Sequence, residues 1–218
     1  MYDRTYGSLP KMLGRHEVDC KEMMAYQYLP IKLAGATSIT REPRVAPFDA
    51  LIGAACCDFV ADYGLGRFVE SHVYLTAKHL FQGPGGTFNR LGWHCDGFMT
   101  DDVNYIWANR SPTIFNDSSF SLTMDDKLSM AEMQAQAAPW RDCDYGVCAL
   151  LRLDQFVVHR VQEPAATELR TFFKLSISRD RYDLEGNAKN YLLDYDWPMR
   201  PRSMARNVPQ HMEALHRK

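Results

Sequence analysis

Polar and apolar residues alternate in many short segments of the chain beyond residue 66. Side chains two positions apart lie on the same face of a β-strand, so this alternation predicts strands with one buried face. Turn-forming residues, such as those of 83–86, separate several of the segments. The predicted strands are residues 67–80, 89–96, 103–107, 113–115, 120–123, 146–153, 156–161 and 169–178.

Two other segments have properties typical of helices. Residues 49–63 (DALIGAACCDFVADY) have apolar residues at near-helical spacing and are followed by Gly64, so they are predicted to form a helix. A second helix is predicted from Asp125 or Asp126 to about Ala137, because acidic residues at its start suit the helix dipole. Residues 23–29 fit either a helix or a strand, and 190–198 are predicted as one more short strand.

Many short strands at close spacing, with helices mainly before them, predict a mainly β fold of the sandwich or barrel type. The 218 residues suffice for one domain with a substantial core. We therefore expect a single domain, 1–218, with its core at about 67–178. Residues 1–66 are expected to give helical support, and 179–218 to form a C-terminal extension.

Composition narrows the functional classes only slightly. Hydrophobic residues make up 46% of the chain and charged residues 24%, which is ordinary globular usage. No apolar run is long enough for a membrane span and the N-terminus has no signal-peptide pattern, so we expect a cytoplasmic protein without membrane attachment. The net charge of −2 gives no overall reason to expect nucleic acid as a partner.

Basic residues and cysteines are the remaining compositional features. Residues 197–218 contain five basic residues against one acid, Glu213, and a solvated tail is favoured over a binding patch. The basic residues are Arg200, Arg202, Arg206, Arg217 and Lys218. None of the six cysteines forms a CxxC pair, so reduced thiols are expected, with Cys56 and Cys57 in the core.

The first candidate for chemistry is His94-Cys-Asp96, on a predicted strand. Its histidine and aspartate lie on one face and can occupy two neighbouring positions around a metal ion. Trp93 and Cys95 lie on the opposite face and are expected to pack. A histidine and an aspartate that bond only to each other remain the alternative.

The second candidate is His159, which shares a strand face with Val157 and Val161. Such a histidine is either a buried imidazole bonded to the backbone or a third metal ligand.

The third candidate is the strand 169–178. One face carries Leu169, Thr171, Phe173, Leu175 and Ile177 and is predicted to face the core. The other presents Arg170 and Ser176 to a more polar environment. Arginine grips a carboxylate with two hydrogen bonds, although a sheet face in water needs no ligand.

The three candidates occur in the order His-x-Asp, then a histidine, then an arginine eleven residues later. With this order, the chain resembles the iron(II)/2-oxoglutarate-dependent dioxygenase superfamily over about residues 89–178. The resemblance implies a double-stranded β-helix, or jelly roll, in which His94, Asp96 and His159 bind Fe(II). Arg170 would pair with the far carboxylate of 2-oxoglutarate. Further cofactor-binding candidates are Ser176, Thr113 and Tyr105, although Tyr105 fits equally well as a core residue.

The activity implied by the resemblance is oxidation of a substrate by O2 and 2-oxoglutarate, with release of succinate and CO2. Two other functions remain open: a β-helix binding module without activity, and a zinc hydrolase that uses the same triad. A small molecule is favoured as the substrate, and a nucleic-acid base is the alternative. The sequence predicts neither the substrate itself nor the oligomeric state.

Overall fold

Strands dominate the computed structural model, which describes residues 5–86 and 89–202. Three α-helices accompany them: α1 (Asp49–Tyr63), α2 (Leu65–Glu70) and α3 (Asp126–Gln136). The strands are β1 (Lys11–Arg15), β2 (Met24–Lys32), β3 (His72–Gln82), β4 (His94–Cys95), β5 (Val103–Ala108), β6 (Ile114–Asn116), β7 (Asp142–Cys143), β8 (Ala149–Leu153), β9 (Val158–Arg160) and β10 (Glu168–Ser178).

The strands form two antiparallel sheets. The large sheet has the order β1-β8-β5-β10-β3-β2, and the small sheet has the order β4-β9-β6-β7. The pairing from β3 to β10 is nested, because β3 pairs with β10, β4 with β9, β5 with β8 and β6 with β7. The prediction of a mainly β fold is therefore confirmed.

Apolar clusters hold these layers together. Phe173, Leu175 and Ile177 of β10 pack with α1 in the largest cluster, on the face that alternation predicted to be buried. A second cluster, which includes Ile106 and Phe115, joins the large sheet to the small one. A third cluster packs α3 against the outer face of the small sheet. The opposite face of β10 and the inner face of the small sheet are thereby left for the functional site.

Several predicted elements differ in the structure. The segment predicted as a strand at 67–80 begins as α2, because Gly64 has a φ of 86° and ends α1, after which Phe68 turns into the core. The strand predicted at 89–96 is reduced to β4, and that at 120–123 to a single bridge between Phe120 and Tyr6.

Differences also occur near both ends of the chain. The ambiguous segment 23–29 belongs mostly to β2, so residues 1–66 supply two edge strands as well as helices. The prediction of a strand at 190–198 is wrong. Those residues form turns, anchored by Asn190, whose side-chain amide donates to the carbonyls of Pro30 and Thr40.

Two expectations from composition have structural outcomes. All six cysteines are free thiols. Cys95 is buried and Cys56 is half-buried against the core, but Cys57 is exposed on the outer side of α1, so its predicted core position is wrong. Across residues 5–86 and 89–202, no helix is long and apolar enough to cross a membrane. Arg206, Arg217 and Lys218 of the basic tail lie outside the described residues.

Candidate metal centre

His94, Asp96 and His159 come together at the inner face of the small sheet. His94 on β4 is directly opposite His159 on β9, with ring centroids 4.6 Å apart, and Asp96 follows β4 immediately. One ligand atom from each of the three residues lies within 4.8 Å of the other two. The prediction that these three side chains converge is confirmed, and the arrangement is one that can bind a metal ion.

Hydrogen bonds orient both imidazoles. His94 Nδ1 lies 2.9 Å from the carbonyl oxygen of Gly92, and His159 Nδ1 lies 3.0 Å from that of Val157. A carbonyl oxygen can only accept, so each Nδ1 carries a hydrogen and Nε2 is the nitrogen of each ring that could bind a metal. Such a partner for the non-ligating nitrogen is usual at metal-binding histidines, because it fixes the tautomer and the ring orientation.

Charge at the site favours metal binding as well. Burial and the neighbouring His159 lower the pKa of His94 to about 3, so this imidazole is neutral at physiological pH. Burial opposes ionisation of Asp96, but Lys174 and the two histidines outweigh it and hold the pKa of the carboxyl well below its usual range. The site therefore offers a neutral imidazole at His94 and an ionised carboxylate at Asp96, which are forms that a divalent cation requires.

Lys174 is a site residue that the sequence analysis did not select. Its ammonium lies 2.7 Å from Asp96 Oδ2, and His159 Nε2 lies 3.5 Å from the same oxygen. Burial opposes the charge on Lys174, but Asp96 outweighs it and raises the pKa of the lysine. The signal was present in the sequence, since Lys174 shares a strand face with Arg170.

The triad borders a cavity of about 590 Å³ between the two sheets. One wall is formed by the segment 180–202, which includes Asp183, Asn187, Arg200 and Arg202. Few of the lining side chains are apolar. The volume lies in the range of about 300–1,000 Å³ typical of small-molecule sites, so the cavity has room for ligands beside the metal.

Tyr28 lines the same cavity and has an unusual backbone. Its φ is 50°, and the β2–β3 register shifts between Tyr26 and Leu29, the interval that contains it. The Lys174 ammonium lies 5.6 Å from the centroid of its ring, and the ring of Tyr182 meets it edge to face at 5.1 Å. Strained non-glycine residues are concentrated at functional sites, and an irregular edge strand was not predictable from the alternation of 23–29.

Arg170 is placed differently from the other predicted ligands. It is buried, and its Nε and Nη2 donate to the carbonyls of Arg110 and Ser111 at 2.9 and 3.1 Å. Burial lowers the pKa of Arg170 to about 10. The residue borders a small recess that shares Lys78, Asn89 and Phe172 with the main cavity, while the main cavity itself is lined by Lys174.

The other cofactor-binding candidates have separate positions. Thr113 lines the cavity, and its contact with a ligand stays a prediction. Ser176 is buried and donates to Asn104 Oδ1 at 2.6 Å. Tyr105 is fully buried in the α1 cluster, where its hydroxyl donates to Asp58 at 3.0 Å. Of its two predicted roles, Tyr105 therefore has the core role.

The turn that follows Asp96 packs very closely on polar side chains. Gly97 has a φ of 71°, and a Cβ there would lie 2.8 Å from Thr100 Oγ1 and 3.0 Å from Asp102 Cβ. Asp102 Oδ1 and Asn104 Nδ2 are buried and have no hydrogen-bond partner among the described residues. This packing positions the Asp96 carboxylate beside the two imidazoles.

The donor set fits a divalent transition metal. Two imidazole nitrogens and one carboxylate with open positions suit iron(II), and three such ligands plus water also suit zinc. Comparison with known proteins adds no assignment, because no family model matches the chain and the search of curated proteins finds no match.

Proposed function

We propose that the protein is an iron(II)/2-oxoglutarate-dependent oxygenase. The observation that carries the proposal is the convergence of His94, Asp96 and His159, with each Nδ1 held by a backbone carbonyl, at the edge of a large cavity. When bound, iron(II) supplies the oxygen-dependent chemistry that converts 2-oxoglutarate to succinate and CO2 while the substrate is oxidised.

The proposal includes a double-stranded β-helix as the fold. The nested pairing of β3–β10, β4–β9, β5–β8 and β6–β7 supports it, because a long hairpin folded over two sheets produces this order. The triad then lies on β4, β9 and the turn after β4, and β10 faces it from the large sheet.

The chain's residues would each have a defined role. His94, Asp96 and His159 hold the metal, and the C-terminal wall of the cavity limits the access of water. Two cations on the cavity face of β10 suit the far carboxylate of 2-oxoglutarate. Lys174 reaches the main cavity directly, whereas Arg170 borders the adjoining recess together with Lys78.

Anaerobic reconstitution with iron(II) and 2-oxoglutarate tests the function. We expect a weak visible absorption band from the ternary complex, and succinate formation after oxygen is admitted. His94→Ala, Asp96→Ala and His159→Ala should lose both signals while remaining folded by circular dichroism. His16→Ala, outside the cavity, is the matched control. A His94→Ala protein that formed succinate at the parent rate would refute the ligand assignment.

The same experiment assigns the cosubstrate anchor. Arg170→Gln and Lys174→Met should be compared by the concentration of 2-oxoglutarate that gives half of the full absorption change. Replacing the residue that binds the far carboxylate should raise this concentration about ten- to hundredfold, because a charge-assisted pair contributes about 1.5–3 kcal/mol. An unchanged value in both variants would contradict an anchor on β10.

A zinc hydrolase is the second candidate function. It is favoured by one observation: the guanidinium of Arg170 donates to backbone carbonyls of the protein itself. A hydrolase needs no cosubstrate anchor, and its zinc activates a water molecule on the same three ligands. Hydrolysis that depends on zinc and persists without 2-oxoglutarate would replace the oxygenase proposal.

A further inference from the structure

The C-terminal wall of the cavity carries a guanidinium that is held in place by neutral groups. Arg202 Nε donates to the carbonyl of Glu185 at 3.0 Å, and its Nη2 donates to Asn187 Oδ1 at 2.8 Å. Asn187 is itself fixed by donating to the carbonyl of Tyr182 at 2.7 Å. No described carboxylate forms an ion pair with Arg202, so its charge is positioned but not neutralised.

The charged groups near Arg202 do not neutralise its positive charge. Arg200, on the same wall, pairs with Asp183 through several hydrogen bonds. Arg181 also lines the cavity and lies 5.9 Å from the ring of Trp197, with no ion pair to the described part of the chain. Burial raises the pKa of Asp102, another carboxyl that lines the cavity.

The wall itself is firmly attached to the large sheet. The Tyr182 ring stacks on Tyr74 at 4.2 Å, and its hydroxyl donates to Asp102 Oδ2 at 2.7 Å. Backbone hydrogen bonds join residues 183–185 to Arg200. A guanidinium held on such a support binds an anion with little loss of side-chain entropy.

From this arrangement we infer that the substrate is a small polar molecule with an anionic group, a carboxylate, phosphate or sulfonate, which Arg202 binds in the cavity that Arg181 also lines. The inference rests on the proposed function, because the molecule oxidised at the triad would be the one held by this wall. The amides of Gln27 and Asn89 also line the cavity and suit the polar remainder of such a molecule.

Sulfate binding to metal-free protein tests the anion site independently of any turnover. Isothermal titration calorimetry at low ionic strength, where charge pairing is least screened, should show sulfate binding to the parent. Arg202→Gln should bind about ten- to hundredfold more weakly, and Arg202→Lys should fall between the two. Arg141→Gln is the matched control, because the half-exposed Arg141 side chain pairs with Asp117 outside the cavity.

Two outcomes of the titration would overturn the inference. One is equal sulfate affinity in Arg202→Gln and the parent, including no binding to either. The other is weakening only in Arg170→Gln or Lys174→Met, which would place the anion on β10. Because neither iron nor oxygen is present, these results do not depend on whether the protein is an oxygenase.

A charge-sorted panel of compounds tests the substrate class. In the iron and 2-oxoglutarate assay, carboxylates, phosphate esters and sulfonates should stimulate succinate formation, and neutral or cationic compounds should not. With a stimulating compound, Arg202→Gln should raise KM about ten- to hundredfold and change kcat little, as loss of ground-state binding does. Stimulation by a neutral compound, a cation or a polynucleotide instead would overturn the inference.

Discussion

Each imidazole of the candidate metal centre is oriented by the carbonyl of a residue two positions earlier in the chain, just before its strand. This local arrangement leaves Nε2 of His94 and His159 ready to bind without any change of tautomer. Asp96 has no comparable local partner, and its carboxylate depends on Lys174 from the other sheet. The residues of the centre therefore differ in what holds them.

Removing the ammonium of Lys174 should change the pH dependence of stability. The pKa of Asp96 is lower in the folded protein than in the unfolded chain, so its contribution is present above about pH 4 and is lost as pH falls through the folded pKa. In metal-free Lys174→Met this loss should begin at higher pH. The free energy of unfolding at neutral pH should fall by about 2 kcal/mol, less than for a fully buried pair.

Urea unfolding of the metal-free proteins between about pH 7 and pH 3 measures this change. Lys21→Met is the control, because Lys21 and its partner Asp19 have exposed fractions of 82% and 79% and such pairs contribute little. Identical pH profiles for the parent and Lys174→Met would contradict the role given to the ammonium.

Gly97→Ala should weaken metal binding through the position of Asp96. Its φ of 71° and the 2.8 Å approach to Thr100 Oγ1 leave no room for a methyl group. We expect a loss of stability of about 1–3 kcal/mol and a metal dissociation constant at least tenfold higher, measured by zinc titration. Gly53→Ala on α1 meets nothing within 4 Å and should instead stabilise the protein by about 0.5–1 kcal/mol.

At the scale of elements, β10 separates the core from the site. Phe173, Leu175 and Ile177 pack in the cluster with α1, while Phe172 and Lys174 on the opposite face line the cavity. An eleven-residue strand with two neighbours, β3 and β5, is rigid enough to present these side chains at fixed positions. This explains why one strand serves both stability and recognition.

The short helix α2 depends on a buried lysine from β2. Lys32 Nζ donates to the carbonyls of Phe68, Ser71, Val69 and Leu33, and burial lowers the pKa of Lys32 to about 8. Lys32→Met removes these bonds and should lower the free energy of unfolding by about 3 kcal/mol. Chemical denaturation measures the change, with the exposed Lys127→Met as control. Equal losses in the two variants would show that α2 does not need this lysine.

At the scale of the whole molecule, metal binding and folding should be coupled. The ligands come from two strands that pair only in the native fold, so a metal binds the folded state and stabilises it. At a free concentration 100 times its dissociation constant, the metal should add about 2.7 kcal/mol. Thermal unfolding with and without zinc measures the change in Tm, and His94→Ala should show no increase. An equal increase in His94→Ala would indicate binding elsewhere.

The sequence predicted the parts of the fold that depend on local patterns. The helix 49–63 and the buried face of β10 were predictable because the spacing of apolar residues indicates which side chains are buried. The prediction failed at residues 67–70, where Lys32 and Phe59 stabilise a helical turn that local alternation does not encode. Strand ends at 89–93 and 120–123 were also overestimated, because pairing partners decide where a strand begins.

By itself, the sequence selected His94, Asp96 and His159 as side chains that could bind one metal ion, from the two-residue spacing of the first two and from the family resemblance. Only the tertiary structure decided their neighbours. The Lys174 ammonium beside Asp96, the carbonyl partners of Arg170 and the wall with Arg202 come from residues distant along the chain. Such contacts depend on how the two sheets pack, and periodicity along one strand carries no information about the opposite sheet.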